Sequence, residues 1–152
     1  MAKPYRNTQF SWVYLFPLVF LVPFVIVMTA QENAWWVGLI VAVILAFVYG
    51  MFLTLNTRVE RGEFRAHFTY GWPRRVIPVS AIQSHERARG KWWHGWGIRF
   101  IPGGMLYSVW GLDTVEIRYR DARKGKDRMF RVGTNDPEGL DAALTVARAN
   151  RS

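Results

Sequence analysis

Residues 12–30, WVYLFPLVFLVPFVIVMTA, and residues 35–55, WWVGLIVAVILAFVYGMFLTL, decide how this chain is organised. Neither stretch contains a Lys, Arg, Asp, Glu or His, and an uncharged apolar run of about 18 residues or more is typical of a membrane-spanning helix. At about 1.5 Å per residue the two helices would measure roughly 28 and 32 Å, which matches the ~30 Å hydrocarbon layer of a bilayer. Because only four residues separate the runs, the sequence predicts an antiparallel transmembrane hairpin.

The charged residues around the two runs predict its orientation. Lys3 and Arg6 precede the first run, Arg58 and Arg61 follow the second, and the connection carries only Glu32. Basic residues are enriched in cytoplasmic loops, so both termini are predicted to lie in the cytoplasm. The first run is longer than the apolar core of a signal peptide, which is about 7–15 residues, so we expect both helices to be retained.

One face of the second run consists of small residues. A four-residue spacing places on that face Ala34, Gly38, Ala42, Ala46 and Gly50. Small side chains let membrane helices approach closely, which matters because lipid supplies no hydrophobic driving force for helix association. The face can serve to pack on the first helix of the same chain or on a helix of another subunit, and the sequence leaves both interpretations open.

The rest of the chain differs sharply in composition. From Arg58 onward it carries 18 Lys and Arg against 10 Asp and Glu, and the chain as a whole contains no cysteine. The absence of cysteine excludes disulfides, thiol nucleophiles and thiolate metal sites. We therefore divide the chain into residues 1–57, an N-terminal tail with the hairpin, and residues 58–152, a basic cytoplasmic domain.

The basic domain has the pattern of a small antiparallel β protein with one helix. Alternation and turn residues predict seven strands, at 63–70, 76–79, 82–87, 97–101, 105–109, 114–120 and 129–133. Asp136 is a good N-cap, with Pro137 at the first helical position, so a helix is predicted from there to about Ala149. The expected fold is α+β, a bent seven-stranded sheet or partly open barrel that the C-terminal helix caps.

Three stretches of this domain carry a family resemblance: GWGIR at 95–99, LYSVWGLDTVEI at 106–117 and RVGTNDPE at 131–138. With the preceding hairpin, they make the chain similar to the bacterial pleckstrin-homology-like (PH-like) membrane proteins. The resemblance implies a PH-like domain anchored in the bacterial inner membrane, and it implies no particular activity. The stretch PGGM at 102–105 departs from the polar-Gly-aromatic turn that is more usual in the family.

The sequence does not contain a recognisable catalytic or metal-binding pattern. His67, His85 and His94 lack the spacing of metal ligands, and no nucleophile elbow, phosphate loop, dinucleotide fingerprint or carboxylate pair is present. We predict a protein that is not an enzyme and has no cofactor or metal.

The segment 87–96, RARGKWWHGW, is the most unusual stretch outside the apolar runs. Arg89 and Lys91 stand beside Trp92 and Trp93, and tryptophan with basic residues suits the headgroup layer of an anionic membrane. The alternative is that some of these rings cap the domain core and leave the charges in solvent.

These observations favour an accessory or scaffold subunit that binds another integral membrane protein through its hairpin and its PH-like domain. The alternative is a module that binds anionic lipid headgroups through the basic, Trp-rich loop. Arg74 and Arg75 occupy the first domain hairpin, where phosphoinositide-binding relatives carry basic residues, but the spacing differs from their motif. We expect membrane lipid as a partner, no nucleic acid, and an oligomeric state that the sequence leaves open.

Overall fold

A computed structural model describes residues 3–12, 15–31, 35–91 and 97–150 as an α+β protein with two antiparallel-rich sheets and three helices. The strands are β1 (Tyr5–Phe10), β2 (Thr54–Glu60), β3 (Glu63–Phe68), β4 (Arg74–Pro78), β5 (Ile82–Arg89), β6 (Gly97–Ile101), β7 (Gly104–Ser108), β8 (Asp113–Asp121) and β9 (Lys126–Gly133). The helices are α1 (Leu15–Gln31), α2 (Trp35–Phe52) and α3 (Pro137–Ala149).

The first sheet begins before the apolar runs, which the sequence did not predict. Its strand order is β1-β2-β3-β4, and β1 pairs antiparallel with β2 from Tyr5↔Val59 to Phe10↔Thr54. Both apolar helices are therefore inserted between two paired strands of one sheet. The predicted boundary between residues 57 and 58 lies inside β2, and α2 ends at Phe52, three residues before the predicted end at Leu55.

Strands β3 to β9 correspond to the seven strands that alternation predicted, but their arrangement corrects the expected single antiparallel sheet. Strands β5 to β9 form a second sheet in the order β5-β8-β9-β7-β6. Within it β7 runs parallel to β9, from Gly104↔Met129 to Tyr107↔Val132. Within the described residues, nine strands in two sheets thus replace the predicted seven strands in one.

The core lies between the two sheets and under α3. Among its fully buried side chains are Phe64, Phe68, Ile77, Val115, Ile117, Phe130, Val132, Leu140 and Leu144. Asp136 caps α3 as predicted, because its Oδ1 accepts the N–H of Gly139 at 2.9 Å. Leu140 and Leu144 of α3 are both completely buried, and α3 packs across both sheets.

The two N-terminal helices lie outside this core. Helix α2 is long and apolar enough to cross a membrane, whereas the apolar segment of α1, Leu15–Ala30, is shorter. Trp12, predicted as the first residue of the first span, precedes α1, and it is one of many large apolar side chains that this region leaves exposed.

Candidate functional site

Close packing joins α1 and α2 near their connection. Gly38 is buried, and a Cβ placed on it would lie 1.9 Å from Cγ2 of Thr29 and 3.3 Å from Cγ1 of Val25. The Thr29 hydroxyl donates to the carbonyls of Val25 and Ile26, both at 2.9 Å, so its rotamer is fixed. Because a residue near the start of α2 contacts one near the end of α1, the helices run in opposite directions.

The small-residue face of α2 divides at this contact. Gly38 packs on α1 of the same chain, whereas Ala42, Ala46 and Gly50 line an apolar cleft of about 490 Å³ between the helices. Leu15, Leu18, Leu21, Val22, Val25 and Ile26 line the same cleft from α1. Ala34, the first residue of the predicted face, lies outside the described residues. The face therefore serves the helix pair at one end and leaves a cleft at the end next to the sheets.

Hydrogen bonds and ring contacts join the helix pair directly to the sheets. The Ser11 N–H donates to the Leu53 carbonyl at 2.9 Å, and the Ser11 hydroxyl donates to the Val109 carbonyl at 2.6 Å. The rings of Phe52 and Phe68 pack edge to face with centroids 5.0 Å apart. Ser11 directly follows β1 and is completely buried, so the chain is held against the second sheet where it leaves β1.

We call the end of the two sheets that adjoins the helix pair the near rim. Strand registers place at this end Phe10, Thr54, Phe68, Arg74, Arg89, Gly97, Ser108 and Asp113. A backbone hydrogen bond from Gly90 to Leu112 and the contact of the Tyr70 ring with Gly50 place the neighbouring loops there too.

The near rim carries exposed aromatic and basic side chains. Trp12, Tyr70 and Trp72 are each about two-thirds exposed, at 69%, 67% and 67%, and Trp110 is also exposed. The exposed cations at this end are Arg74, Arg89 and Lys91. Aromatic rings with basic side chains suit the boundary between lipid and water. Trp92 and Trp93, which the sequence assigned to the same function, lie outside the described residues.

Arg75 occupies a different environment from Arg74. Its guanidinium donates a hydrogen bond to the Tyr119 hydroxyl and lies over the Tyr119 ring, 5.7 Å from the centroid. Tyr119 belongs to the second sheet and is buried. Arg75 therefore connects the two sheets. The sequence did not predict this structural role.

A second group of basic residues lies at the far end of the second sheet. It surrounds the β8–β9 turn and includes Arg120, Arg123, Lys124 and Lys126. Asp121 moderates its charge, since its carboxylate lies 3.5 Å from Arg128 and accepts the Arg123 N–H at 3.0 Å. This group is exposed and remote from the near rim, so it supplies matched control positions.

The histidines that the structure describes have ordinary partners. His67 Nδ1 lies 3.0 Å from the Phe68 carbonyl oxygen, and His85 Nδ1 lies 2.8 Å from Oδ1 of Asp141 on α3. Across residues 3–12, 15–31, 35–91 and 97–150, no group of three His, Cys, Asp or Glu could hold a metal ion. His94 falls outside these ranges.

One buried carboxylate organises the outer face of the second sheet. Glu116 is 5% exposed, and it accepts hydrogen bonds from Arg131 at 2.5 Å and Arg118 at 3.1 Å. Burial raises the pKa of Glu116, but the two arginines outweigh burial and hold that pKa below its ordinary value. The three side chains form a charged cluster that stabilises the strand pairing of β8 and β9.

Strand β1 contributes contacts that sequence reasoning missed. Its inward side chains are Tyr5, Asn7 and Gln9. Tyr5 packs against the core, whereas Asn7 and Gln9 bond to polar groups. Asn7 Nδ2 donates to Thr134 at 3.0 Å and Gln9 Nε2 donates to the Trp110 carbonyl at 2.6 Å. Hydrophobic alternation, the usual signal of a strand, cannot detect a strand of this kind.

Comparisons of the chain with protein-family models, with curated proteins and with solved structures gave no match.

Proposed function

We propose that this chain is a non-catalytic integral membrane protein that acts as an accessory or scaffold subunit. In this proposal α1 and α2 both cross the bacterial inner membrane, both termini lie in the cytoplasm, and the sheets form a PH-like domain. The helix pair and this domain together bind another membrane protein.

The direct connection between helices and sheets carries the proposal. A bracing subunit has to transmit position from the membrane to the cytoplasmic side, which a flexible tether would not do. The Phe52 ring at the end of α2 packs on Phe68 of β3, and Ser11, between β1 and α1, bonds to Val109 beside β7, so two contacts hold the helix pair next to the sheets. Such coupling suits a subunit that holds a partner in a defined position.

The cleft between the helices favours a partner that contributes a membrane helix. Its apolar lining includes Ala42, Ala46 and Gly50, and small residues let a further membrane helix approach the backbone closely. An apolar helix of the partner protein would fill the cleft and would contact both α1 and α2.

The test is affinity purification of the full chain in mild detergent with quantification of co-purified membrane proteins. Ala46→Leu fills the cleft, and the matched control Val43→Leu enlarges a side chain that is exposed on α2. We expect one partner at near-stoichiometric yield with the wild type and with Val43→Leu, and a loss of at least about tenfold with Ala46→Leu. Equal recovery with all three would contradict the proposal.

A second candidate function is the binding of anionic lipid headgroups, which the near rim favours. Arg74, Arg89 and Lys91 lie at the same end as Trp12 and Trp72. Each basic residue near an anionic membrane surface contributes about 1 kcal/mol, so three together would enrich anionic lipid around the domain.

Native mass spectrometry of the chain extracted from mixed neutral and anionic lipid tests this second candidate. The variant Arg74→Ala with Arg89→Ala should retain less anionic lipid than the wild type. The control Arg120→Ala with Arg123→Ala removes the same charge from the far end and should retain as much as the wild type. Equal losses in both variants would indicate an effect of net charge alone.

A further inference from the structure

A groove with a basic margin opens at the end of the first sheet that is remote from the helices. It has a volume of about 840 Å³ and lies between the ends of β1 and β2 and the C-terminal half of α3. Strand β2 starts beside α2 and reaches the groove at Glu60. At about 3.3 Å per residue, the seven residues of β2 place the groove roughly 20 Å from the end of α2.

The floor of the groove is apolar. Val59 from β2 and Ala143, Val146 and Ala147 from α3 line it. Ala143 and Ala147 pack against the core, whereas Val146 is 47% exposed. Helix α3 therefore has an apolar surface beyond the one that it buries with Leu140 and Leu144.

Among the residues that the structure describes, three cations line the same groove: Lys3, Arg6 and Arg61. Glu60 also lines it, but its carboxylate is paired with Arg6 at 3.2 Å. The hydrogen bond from Arg6 lowers the pKa of Glu60, and the charges of Arg58 and Arg61 lower it further. The local electrostatic field therefore favours negative charge in a ligand.

The position of Arg61 is conformationally unusual. It is the first residue of the two-residue turn between β2 and β3, and it has a φ of 52°, in the left-handed region. Such turns ordinarily take Gly, Asn or Asp at this position, and a residue with a larger side chain is strained there. Strained residues of this kind concentrate at functional positions.

We propose that this groove binds an acidic amphipathic segment of a partner protein. Apolar side chains of the segment would cover Val146 and its neighbours, and its carboxylates would pair with Lys3 and Arg61. Under the proposed function a lipid surface would lie at the near rim. The groove is roughly 20 Å from that end, which exceeds the Debye length of about 8–10 Å at physiological salt. This distance favours a protein ligand over lipid. The inference goes beyond the proposed function, because the groove is separate from the helix pair.

Fluorescence anisotropy tests this proposal with the full chain in nanodiscs of neutral phosphatidylcholine. The probe is a fluorescein-labelled peptide of about 18 residues, built from Glu and Leu at amphipathic helical spacing. A scrambled peptide of equal composition and a Lys/Leu peptide of equal pattern are the ligand controls. We expect saturable binding of the Glu/Leu peptide that weakens as salt is raised, and much weaker binding of both control peptides.

Two groove variants and one matched control make the test specific. Arg61→Gly removes a cation and also relieves the positive φ, so the variant should fold at least as well as the wild type. Val146→Glu places a negative charge on the floor. We expect about fivefold weaker binding with Arg61→Gly, at least about tenfold weaker binding with Val146→Glu, and unchanged binding with Arg123→Ala, which removes a cation from the far end of the second sheet.

Three results would overturn the inference: no saturable binding up to about 1 mM protein, equal binding to the groove variants and the wild type, or equal binding of the scrambled peptide. Loss of co-purified anionic lipid in the groove variants, with peptide binding unchanged, would assign the groove to lipid and would also overturn the inference.

The variant Ala46→Leu should leave peptide binding unchanged, so failure of this inference is distinguishable from failure of the proposed function.

Discussion

The missing side chain at position 38 sets how α1 and α2 pack. A Cβ there would meet Cγ2 of Thr29 at 1.9 Å, and Thr29 cannot rotate away without losing its hydrogen bonds to Val25 and Ile26. We expect Gly38→Ala to destabilise the helix pair by about 1–3 kcal/mol through overpacking. Thermal unfolding in detergent, followed by circular dichroism, measures the effect.

A double variant separates this contact from a general effect of changing α2. Thr29→Ser removes the methyl group that the new Cβ would meet and keeps the hydroxyl, so it should restore most of the stability that Gly38→Ala loses. Val43→Ile, which enlarges an exposed side chain, should have little effect. Equal destabilisation by Gly38→Ala with and without Thr29→Ser would show that position 38 acts in another way.

Glu116 makes stability depend on pH. Its pKa is lower in the folded chain than the ordinary value of 4.5, so its contribution is present above about pH 4.5 and is lost as the pH falls through the lowered pKa. Glu116→Gln should cost about 1–3 kcal/mol at pH 7, because Arg131 and Arg118 lose a charged partner.

Thermal unfolding between pH 7 and pH 3 measures this contribution. The difference between the wild type and Glu116→Gln should shrink toward acid. Glu86→Gln, which changes the exposed carboxylate directly opposite Glu116 on β5, should show little cost at pH 7. A difference between the wild type and Glu116→Gln that stays constant with pH would contradict the assignment.

At the scale of elements, Tyr5 ties β1 to the start of α3. Its hydroxyl donates to Oδ2 of Asp136 at 3.1 Å, and Asp136 is also the N-cap of α3. Burial, together with the negative charge of Asp136, raises the pKa of Tyr5 to about 12. The protonated form is therefore stabilised on folding, and this contribution is present below pH 10 and lost as the pH rises toward 12.

Tyr5→Phe should lower the free energy of unfolding by about 1 kcal/mol at neutral pH. Denaturation monitored between pH 8 and pH 12 should show that the difference between variant and wild type narrows above pH 10. A variant as stable as the wild type at pH 7 would mean that β1 is not held to α3 through this hydroxyl.

The elements also show what the sequence could predict. Strands β3 to β9 and helix α3 were predictable because their inward positions are apolar and their ends carry Gly, Pro or a capping Asp. Strand β1 was not, since Asn7 and Gln9 replace apolar residues on its inward face. Strand β2 alternates at Leu55, Thr57 and Val59, but it continues the apolar run without a break.

The arrangement of the strands and helices was even harder to predict from the sequence. The parallel pairing of β7 with β9 depends on contacts between strands far apart in the chain, which periodicity does not encode. At the candidate sites the sequence indicated the small residues of α2 and the basic residues of the near rim, and their functional use stays a prediction. It did not identify Thr29 as the partner of Gly38, nor the groove that Val146 and Arg61 share.

In the molecule as a whole, the insertion of α1 and α2 between the paired strands β1 and β2 is the feature on which a bracing function depends. If β1 lies on β2, the helix pair is connected to the sheets twice and cannot swing independently of them. If β1 is detached, the helices are attached through β2 alone, and the bracing function loses its physical basis.

Disulfide formation in native membranes tests this pairing most directly. Thr8 and Asn56 are register partners whose side chains touch at 2.6 Å, and the chain has no cysteine of its own. Thr8→Cys with Asn56→Cys should therefore form a disulfide on mild oxidation. The control, Thr8→Cys with His67→Cys, joins positions two strands apart, about 10 Å, which is beyond disulfide reach. We expect a near-complete cross-link in the first pair and none in the control. Absence of the first cross-link, or equal cross-linking in both, would contradict the pairing of β1 with β2.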